Sequence, residues 1–202
     1  DASDFLSTLK SNSLIPDAIV VDHYSISSKW EKIVSSATGS SIVVIDDLAN
    51  RKHFCDLLVD QNYYLNFKHR YTGLTPQHTV QLLGPKFAIL NPTFKELRKV
   101  RKKRSGILVN FGGSAKKDIW QKVIPALQIM SKKLKFKVVT GLFSDSCEFL
   151  KVQKSLQSYN IECHETIENM PAVMSSSLFS IGASGTTVWE RFSLGLNSAL
   201  ID

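Results

Sequence analysis

Short apolar segments that end in polar residues alternate with longer amphipathic segments along this chain. In the first half, the apolar segments 18–21, 41–45 and 55–59 are each followed by aspartates and other polar side chains. Alternation of this kind is typical of βαβ units around a parallel sheet, and it predicts that 18–21 is a buried strand. We therefore predict an α/β fold in which ligands bind at the carboxyl ends of the strands.

A strongly basic segment interrupts this pattern. It runs from Lys95 to Arg104 and contains seven lysines and arginines but a single acid. Beyond it the pattern predicts strands at 107–111 and 178–181, in a parallel sheet with helices on both faces. We place a domain boundary near residues 92–104, around the basic segment. The two predicted domains are residues 1–98 and residues 99–202.

The net charge of +7 arises almost entirely from this one segment. A single charged segment between two folded halves is most often a solvated linker or helix. It also contains no aromatic side chain that could stack on bases. We therefore predict that the protein has no nucleic-acid partner.

The cysteines and histidines show no pattern of a metal site or of a disulfide framework. Cys55, Cys147 and Cys163 are widely spaced, and none of the five histidines has a metal-ligand spacing. No apolar segment approaches the ~18 residues of a membrane span, and no signal peptide is recognisable. We predict a cytoplasmic protein with reduced thiols and without a metal or cofactor. The sequence indicates no protein partner.

The segment from Ser184 to Glu190 lies between a predicted strand and a predicted helix. Gly185 lets the backbone approach a ligand closely. The hydroxyls of Ser184, Thr186 and Thr187, with the amides at the helix start, suit a diphosphate. Glu190, one helical turn further on, could accept hydrogen bonds from both hydroxyls of a ribose. The alternative is an ordinary helix cap, because Ser and Thr cap helices frequently.

A second glycine-containing turn follows the predicted strand at 107–111. It consists of Gly112, Gly113 and Ser114, and it repeats the order of strand, glycine and hydroxyl. Such a turn alone is a weak signal, but two in one domain indicate a nucleotide site. Neither turn fits the phosphate-binding loop of ATPases, because both lack its lysine.

Four aspartates and a tyrosine follow the early strands. Asp22, Asp46, Asp47 and Asp60 could act as acids or bases, or they could serve as caps and loop carboxylates. Tyr24 could donate a hydrogen bond to a substrate, or it could be a half-buried aromatic residue with its hydroxyl satisfied. The residues themselves do not separate these alternatives.

Taken together, these segments resemble the UDP-2,4-diacetamido-2,4,6-trideoxy-β-L-altropyranose hydrolases of the pseudaminic-acid pathway. The resemblance extends over most of the chain and includes an Asp-His-Tyr sequence that ends at Tyr24. Its longest matching segments are 44–51, 55–62, 70–76, 82–90, 111–114 and 182–191. The chain is also similar, more distantly, to the GlcNAc transferase that makes lipid II.

The resemblance implies a GT-B fold of two Rossmann-like domains, of which the first is incomplete in this chain and the second also ends early. It implies that UDP is held by the second domain, with Glu190 at the ribose and Ser184 to Thr187 near the diphosphate. It further implies attack of water on the sugar with release of UDP, and a place for Tyr24 in the sugar site.

One element of the family is missing from this sequence. The family carries a catalytic histidine in a Gly-x-Gly-His loop, and no such sequence occurs here. We therefore expect the catalytic histidine outside this chain and little hydrolysis by the chain alone. The alternatives are a GT-B glycosyltransferase of surface polysaccharide biosynthesis and a non-catalytic nucleotide-sugar-binding domain.

Overall fold

The structure is a computed structural model that describes residues 1–99, 103–112, 117–142, 146–157 and 159–201. The chain divides into two compact units, Asp1–Ile89 and Leu90–Asp202. This division lies before the basic segment rather than inside it. The physical reason is Phe94, which is buried in the core of the second unit beside Leu108.

The first unit contains a four-stranded sheet in the order β1-β2-β3-β4, in which all neighbouring strands are parallel. Its strands are β1 (Ala18–Val21), β2 (Ser41–Ile45), β3 (Leu57–Asp60) and β4 (Val80–Leu83). Its helices are α1 (Ala2–Ser11) and α2 (Ser28–Thr38), and two short 3-10 helices cover Phe67–His69 and Pro85–Phe87.

One face of this sheet forms the core of the first unit. Ile19 and Val21 of β1 pack with Val34 of α2 and with the inward residues of β2 and β3. Val20, between them, is 62% exposed because successive side chains of a strand point to opposite faces. The predicted strand at 18–21 is therefore present, but only Ile19 and Val21 are buried, so that the strand is half-buried.

The second unit contains a five-stranded parallel sheet in the order β7-β6-β5-β8-β9. Its strands are β5 (Ile107–Asn110), β6 (Phe136–Val139), β7 (Ile161–His164), β8 (Phe179–Ala183) and β9 (Ser198–Ile201). Its helices are α3 (Pro92–Leu97), α4 (Lys117–Met130), α5 (Ser146–Leu156), α6 (Met170–Ser176) and α7 (Thr187–Ser193).

Both faces of the second sheet are covered by helices, as the sequence predicted. Val109 of β5 belongs to a cluster with Trp120 of α4, whereas its neighbour Leu108 belongs to a second cluster with Phe94 of α3 and Met174 of α6. Adjacent residues of a strand point to opposite faces, so these clusters are two separate cores. The described part of the chain thus has the predicted α/β architecture with parallel sheets.

Candidate functional site

The order of strands reverses at one point in the second sheet. From β5 the chain proceeds to β6 and β7 on one side, and it then crosses to β8 and β9 on the other side. In open parallel sheets, ligands bind at the carboxyl ends of the two strands that flank such a reversal. Here those strands are β5 and β8, which pair directly through Asn110 and Gly182.

The two glycine-containing turns of the sequence follow these two strands. Gly112 comes two residues after the end of β5, and Ser184 directly follows β8. Gly112 has a φ of +88°, and a Cβ there would meet no atom within 4 Å. Glycine is therefore required for the backbone conformation and not for space. Gly113 and Ser114, which the sequence also assigns to this site, lie outside the described residues.

The turn after β8 exposes its polar side chains. Ser184, Gly185 and Thr186 are exposed, and Thr187 is half-buried as the first residue of α7. Thr186 occupies the position before the helix, but its side chain makes no capping hydrogen bond. The simple helix cap that we considered as an alternative is therefore not formed by Thr186.

Glu190 lies in the first turn of α7 and is half-buried. Its burial raises the pKa of the carboxyl group, and the charge of the adjacent Arg191 offsets this only in part. A carboxylate that is partly withdrawn from water is a stronger partner for hydroxyl donors than an exposed one.

Arg191 is fully buried, which the sequence did not reveal. Its Nη1 donates a hydrogen bond to the carbonyl of Ala183 at 3.1 Å, and its Nη2 donates one to the carbonyl of Asn110 at 3.0 Å. These carbonyls belong to the last residues of β8 and β5. One guanidinium group therefore joins the two strand ends from which the glycine-containing turns begin.

Gly182 leaves the space that this guanidinium occupies. A Cβ at Gly182 would overlap both the Arg191 side chain and the backbone carbonyl of Asn110. We expect Gly182→Ala to lower the free energy of unfolding by about 1–3 kcal/mol, the usual effect of overpacking. Urea denaturation monitored by tryptophan fluorescence measures it.

Gly185→Ala is the matched control. Gly185 lies three residues further along, and a Cβ there would meet no atom within 4 Å. We expect the free energy of unfolding of this variant to lie within about 0.5 kcal/mol of the wild-type value, as it does for most surface substitutions. Equal stabilities of the two variants would contradict the described packing of Arg191 against Gly182.

A network of buried polar groups lies at the carboxyl ends of β2 and β3 in the first unit. The Tyr71 hydroxyl lies 2.8 Å from Asp46 Oδ2 and 3.3 Å from Asp60 Oδ2. Arg51 forms an ion pair with Asp46 at 2.6 Å, and Arg70 forms one with Asp60 at 2.8 Å. Asp46 and Asp60, which we considered as acids or bases, are thus buried and already paired.

The pKa values of these two aspartates are shifted in opposite directions. Burial alone would raise the pKa of Asp46, but the amide of Ala49, the Tyr71 hydroxyl and the charge of Arg51 outweigh it and lower the pKa. Burial raises the pKa of Asp60, and the amide of Asn62 and the charge of Arg70 compensate only in part.

Tyr24 and Asp47 lie close together at the same end of the first sheet. The charge of Asp47, together with a hydrogen bond to it, raises the pKa of the Tyr24 phenol. Tyr24 is 62% exposed, and Asp47 accepts a hydrogen bond from Asn62 Nδ2 at 3.1 Å. The structure thus places an exposed phenol beside a carboxylate that accepts its hydrogen bond. Asp22 is exposed.

Glu31 and His53 form a second feature that sequence reasoning missed. Both side chains are fully buried, and His53 Nδ1 lies 2.8 Å from Glu31 Oε1. The other oxygen of Glu31 accepts the amide of Phe54. This pair ties α2 to the segment that precedes β3.

Within the described ranges, no group of three or more His, Cys, Asp or Glu side chains could hold a metal ion. No described helix is both long and apolar enough to cross a membrane.

Cys55 and Cys163 are free thiols. Burial raises the pKa of the Cys55 thiol to about 12, with a contribution from the charge of Glu31. Burial alone raises the pKa of the Cys163 thiol to about 11.

The amino-acid sequence matches no family model. It is 29% identical over 184 residues to the UDP-2,4-diacetamido-2,4,6-trideoxy-β-L-altropyranose hydrolase of Campylobacter jejuni, a match that covers 90% of this chain and 64% of that enzyme. The chain thus spans less than two thirds of the length of this relative.

Solved structures show the same fold at low sequence identity. MurG of Acinetobacter baumannii superposes with a TM-score of 0.55 at 14% identity, over 99% of this chain and 56% of that protein. MnaA of S. aureus, solved with UDP, superposes with a TM-score of 0.57 at 12% identity, over 98% of this chain and 61% of that protein. The chain therefore has the α/β fold of the GT-B type and is similar in sequence to a UDP-sugar hydrolase.

Proposed function

We propose that the second unit binds the UDP moiety of a nucleotide sugar at the carboxyl ends of β5 and β8. The observation that carries this proposal is the reversal of strand order between those strands, with a glycine-containing turn after each. In this proposal Ser184 to Thr187, together with Gly112, Gly113 and Ser114, contact the diphosphate. Glu190 accepts hydrogen bonds from the ribose hydroxyls.

The comparisons support a nucleotide sugar as the ligand class. The similar enzyme of Campylobacter jejuni is named for a UDP-linked diacetamido sugar, and MnaA was solved with UDP. The anionic diphosphate would also lie near a positive charge, since Arg191 is buried at the end of β8, where the turn begins. Charge complementarity of this kind favours phosphate over neutral ligands.

We further propose that the reaction is hydrolysis in nonulosonic (pseudaminic) acid biosynthesis. Water attacks the anomeric carbon of the sugar, and the bond to the diphosphate breaks so that UDP leaves with the bonding electrons. Tyr24 is our candidate for contact with the sugar, because its phenol is exposed and lies beside Asp47. The Gly-x-Gly-His sequence that carries the catalytic histidine of the hydrolase family is not present in this chain.

Two other functions fit the same fold. A GT-B glycosyltransferase would pass the sugar to an acceptor instead of to water, and a binding domain would hold the nucleotide sugar without turnover. Fold alone does not separate these functions. The discriminating observation is whether UDP is released when no acceptor is present.

The test compares the 202-residue chain with the similar hydrolase of Campylobacter jejuni. UDP release from the UDP-linked diacetamido-trideoxy sugar is measured without an acceptor. We expect the Campylobacter enzyme to release UDP, and this chain to be slower by about 10²–10⁴-fold because it lacks the candidate general base.

Calorimetric titration of UDP into the chain alone gives the control, and we expect binding despite the low turnover. Acceptor-dependent release would favour the transferase. Release by this chain at the rate of the Campylobacter enzyme would show that the catalytic group lies within residues 1–202. Absence of UDP binding would overturn the proposed function.

A further inference from the structure

A buried positive charge lies where the two central strands of the second unit end. The Arg191 side chain has no exposed surface, and its two terminal nitrogens bind the carbonyls of Asn110 and Ala183. Among the residues that the structure describes, no carboxylate oxygen lies within ion-pair distance of this guanidinium. Burial of an unpaired charge is costly, so its retention calls for a reason.

The space for this charge is part of the fold. Gly182 pairs with Asn110 across the two strands, and only a residue without a Cβ leaves room for the guanidinium at this position. Arg191 also follows Glu190 in α7, and the charge of each affects the titration of the other. The arginine therefore has a fixed position next to the carboxylate that we assign to the ribose.

We propose that Arg191 is the buried counter-charge and positioning residue of the diphosphate site. It acts through the backbone groups that it holds and through the electrostatic field of its charge, without direct contact with the nucleotide. This inference rests on the proposed function. By holding the carbonyls of Asn110 and Ala183, the guanidinium fixes the peptide planes that lead into both turns. The positive charge beneath the turns attracts an anionic ligand and has little effect on a neutral one.

This electrostatic role differs from a purely structural role in one measurable respect. A field acts in proportion to the charge of the ligand, whereas a packing defect affects all ligands of the site alike. Uridine is neutral, UMP carries one phosphate group and UDP carries two. The three ligands share the base and the ribose, so they separate the effect of charge from the effect of shape.

The experiment titrates uridine, UMP and UDP into the wild type, Arg191→Met and Arg191→Gln by calorimetry. For Arg191→Met, which removes the charge but keeps much of the volume, we expect UDP to bind at least about tenfold more weakly. We expect a smaller loss for UMP and less than a twofold change for uridine. Arg191→Gln also removes the charge but keeps an amide donor for one of the two carbonyls, and we expect its preference for UDP over uridine to fall by about tenfold as well.

Arg104→Met is the matched control. The Arg104 side chain also binds two backbone carbonyls, those of Leu194 and Gly195, but it is only half-buried. Its loss removes the same kind of anchor at the other end of α7. We expect Arg104→Met to change the affinities of all three ligands by less than a factor of two.

Equal losses for uridine, UMP and UDP in Arg191→Met would overturn the inference and leave Arg191 as a packing residue. If Arg191→Met does not fold, Arg191→Gln decides: an unchanged preference for UDP over uridine in this uncharged variant would overturn the inference. The proposed function is judged separately, by UDP binding to the wild type. If the wild type binds UDP and the charge dependence is absent, only the role of Arg191 is wrong.

Discussion

Glu190→Ala is expected to weaken UDP binding by about 10²–10⁴-fold. In our proposal the carboxylate accepts hydrogen bonds from both ribose hydroxyls, and each charge-assisted bond contributes roughly 1.5–3 kcal/mol. Because Glu190 is half-buried, water replaces these bonds only poorly. Calorimetric titration of UDP and uridine measures the loss, which should be similar for the two ligands, since both contain the ribose.

Three further variants make this test specific. Glu190→Gln keeps the shape but loses the charge, so its affinity should fall between those of wild type and Glu190→Ala. Thr187→Ala should weaken UDP more than uridine, because our proposal places Thr187 at the phosphate. Glu168→Ala removes an exposed carboxylate of the same unit and should leave both affinities unchanged. Unchanged affinity in folded Glu190→Ala, or equal losses of UDP and uridine in Thr187→Ala, would remove these assignments.

Glu31→Ala is expected to lower the free energy of unfolding of the first unit by about 2–5 kcal/mol, because it truncates a fully buried side chain and removes a buried hydrogen-bond acceptor. The variant leaves the His53 ring and the Phe54 amide without their acceptor, and it also opens a cavity beneath α2. Urea denaturation followed by circular dichroism gives the change. Glu31→Gln should lose less stability, because its side-chain amide oxygen can still accept the hydrogen bond of the Phe54 amide.

The chain offers a matched control for this experiment in Glu162. Glu162 Oε1 lies 2.6 Å from His164 Nε2, so the residue types and the distance resemble the buried pair. Here, however, the glutamate side chain is 55% exposed, and water competes for both partners. We expect Glu162→Ala to change the free energy of unfolding by less than about 1 kcal/mol. Similar losses in Glu31→Ala and Glu162→Ala would show that burial is not the cause.

The sequence predicted the strands and helices that carry a clear periodicity. The apolar segment 41–45 became β2 with the same bounds, and the strand predicted at 107–111 became β5, which ends one residue earlier. Three elements were missed because their local signals are weak or contradictory. In α3 only Phe94 is buried, and the basic residues around it make the segment look fully exposed. In β4 a glutamine interrupts a short apolar strand at the edge of the sheet. The third, α1, begins with a capping box that pairs Asp1 with Asp4, but its hydrophobic face contains no buried residue.

The buried charges were harder to predict, because burial of a polar residue depends on partners that are distant in sequence. In the sequence, nothing distinguishes His53 from the other four histidines. Its partner Glu31 lies 22 positions earlier and comes close to it only in the folded chain. Arg191 lies in an ordinary helical position, and its partners at Asn110 and Ala183 are set by the pairing of β5 with β8. Arginine is rarely fully buried, so composition indicates the opposite of what the structure shows.

The pairing of β5 with β8 also has a consequence for how the chain reaches its folded state. The strands β5, β6 and β7 are neighbours in sequence and can associate early, whereas Asn110 and Gly182 lie roughly 70 residues apart and must close a long loop before they pair. Both turns of the candidate nucleotide site depend on that late, nonlocal contact. The second unit would then bind nucleotide only after this last contact has formed. Nucleotide binding would therefore indicate that folding of the second unit is complete.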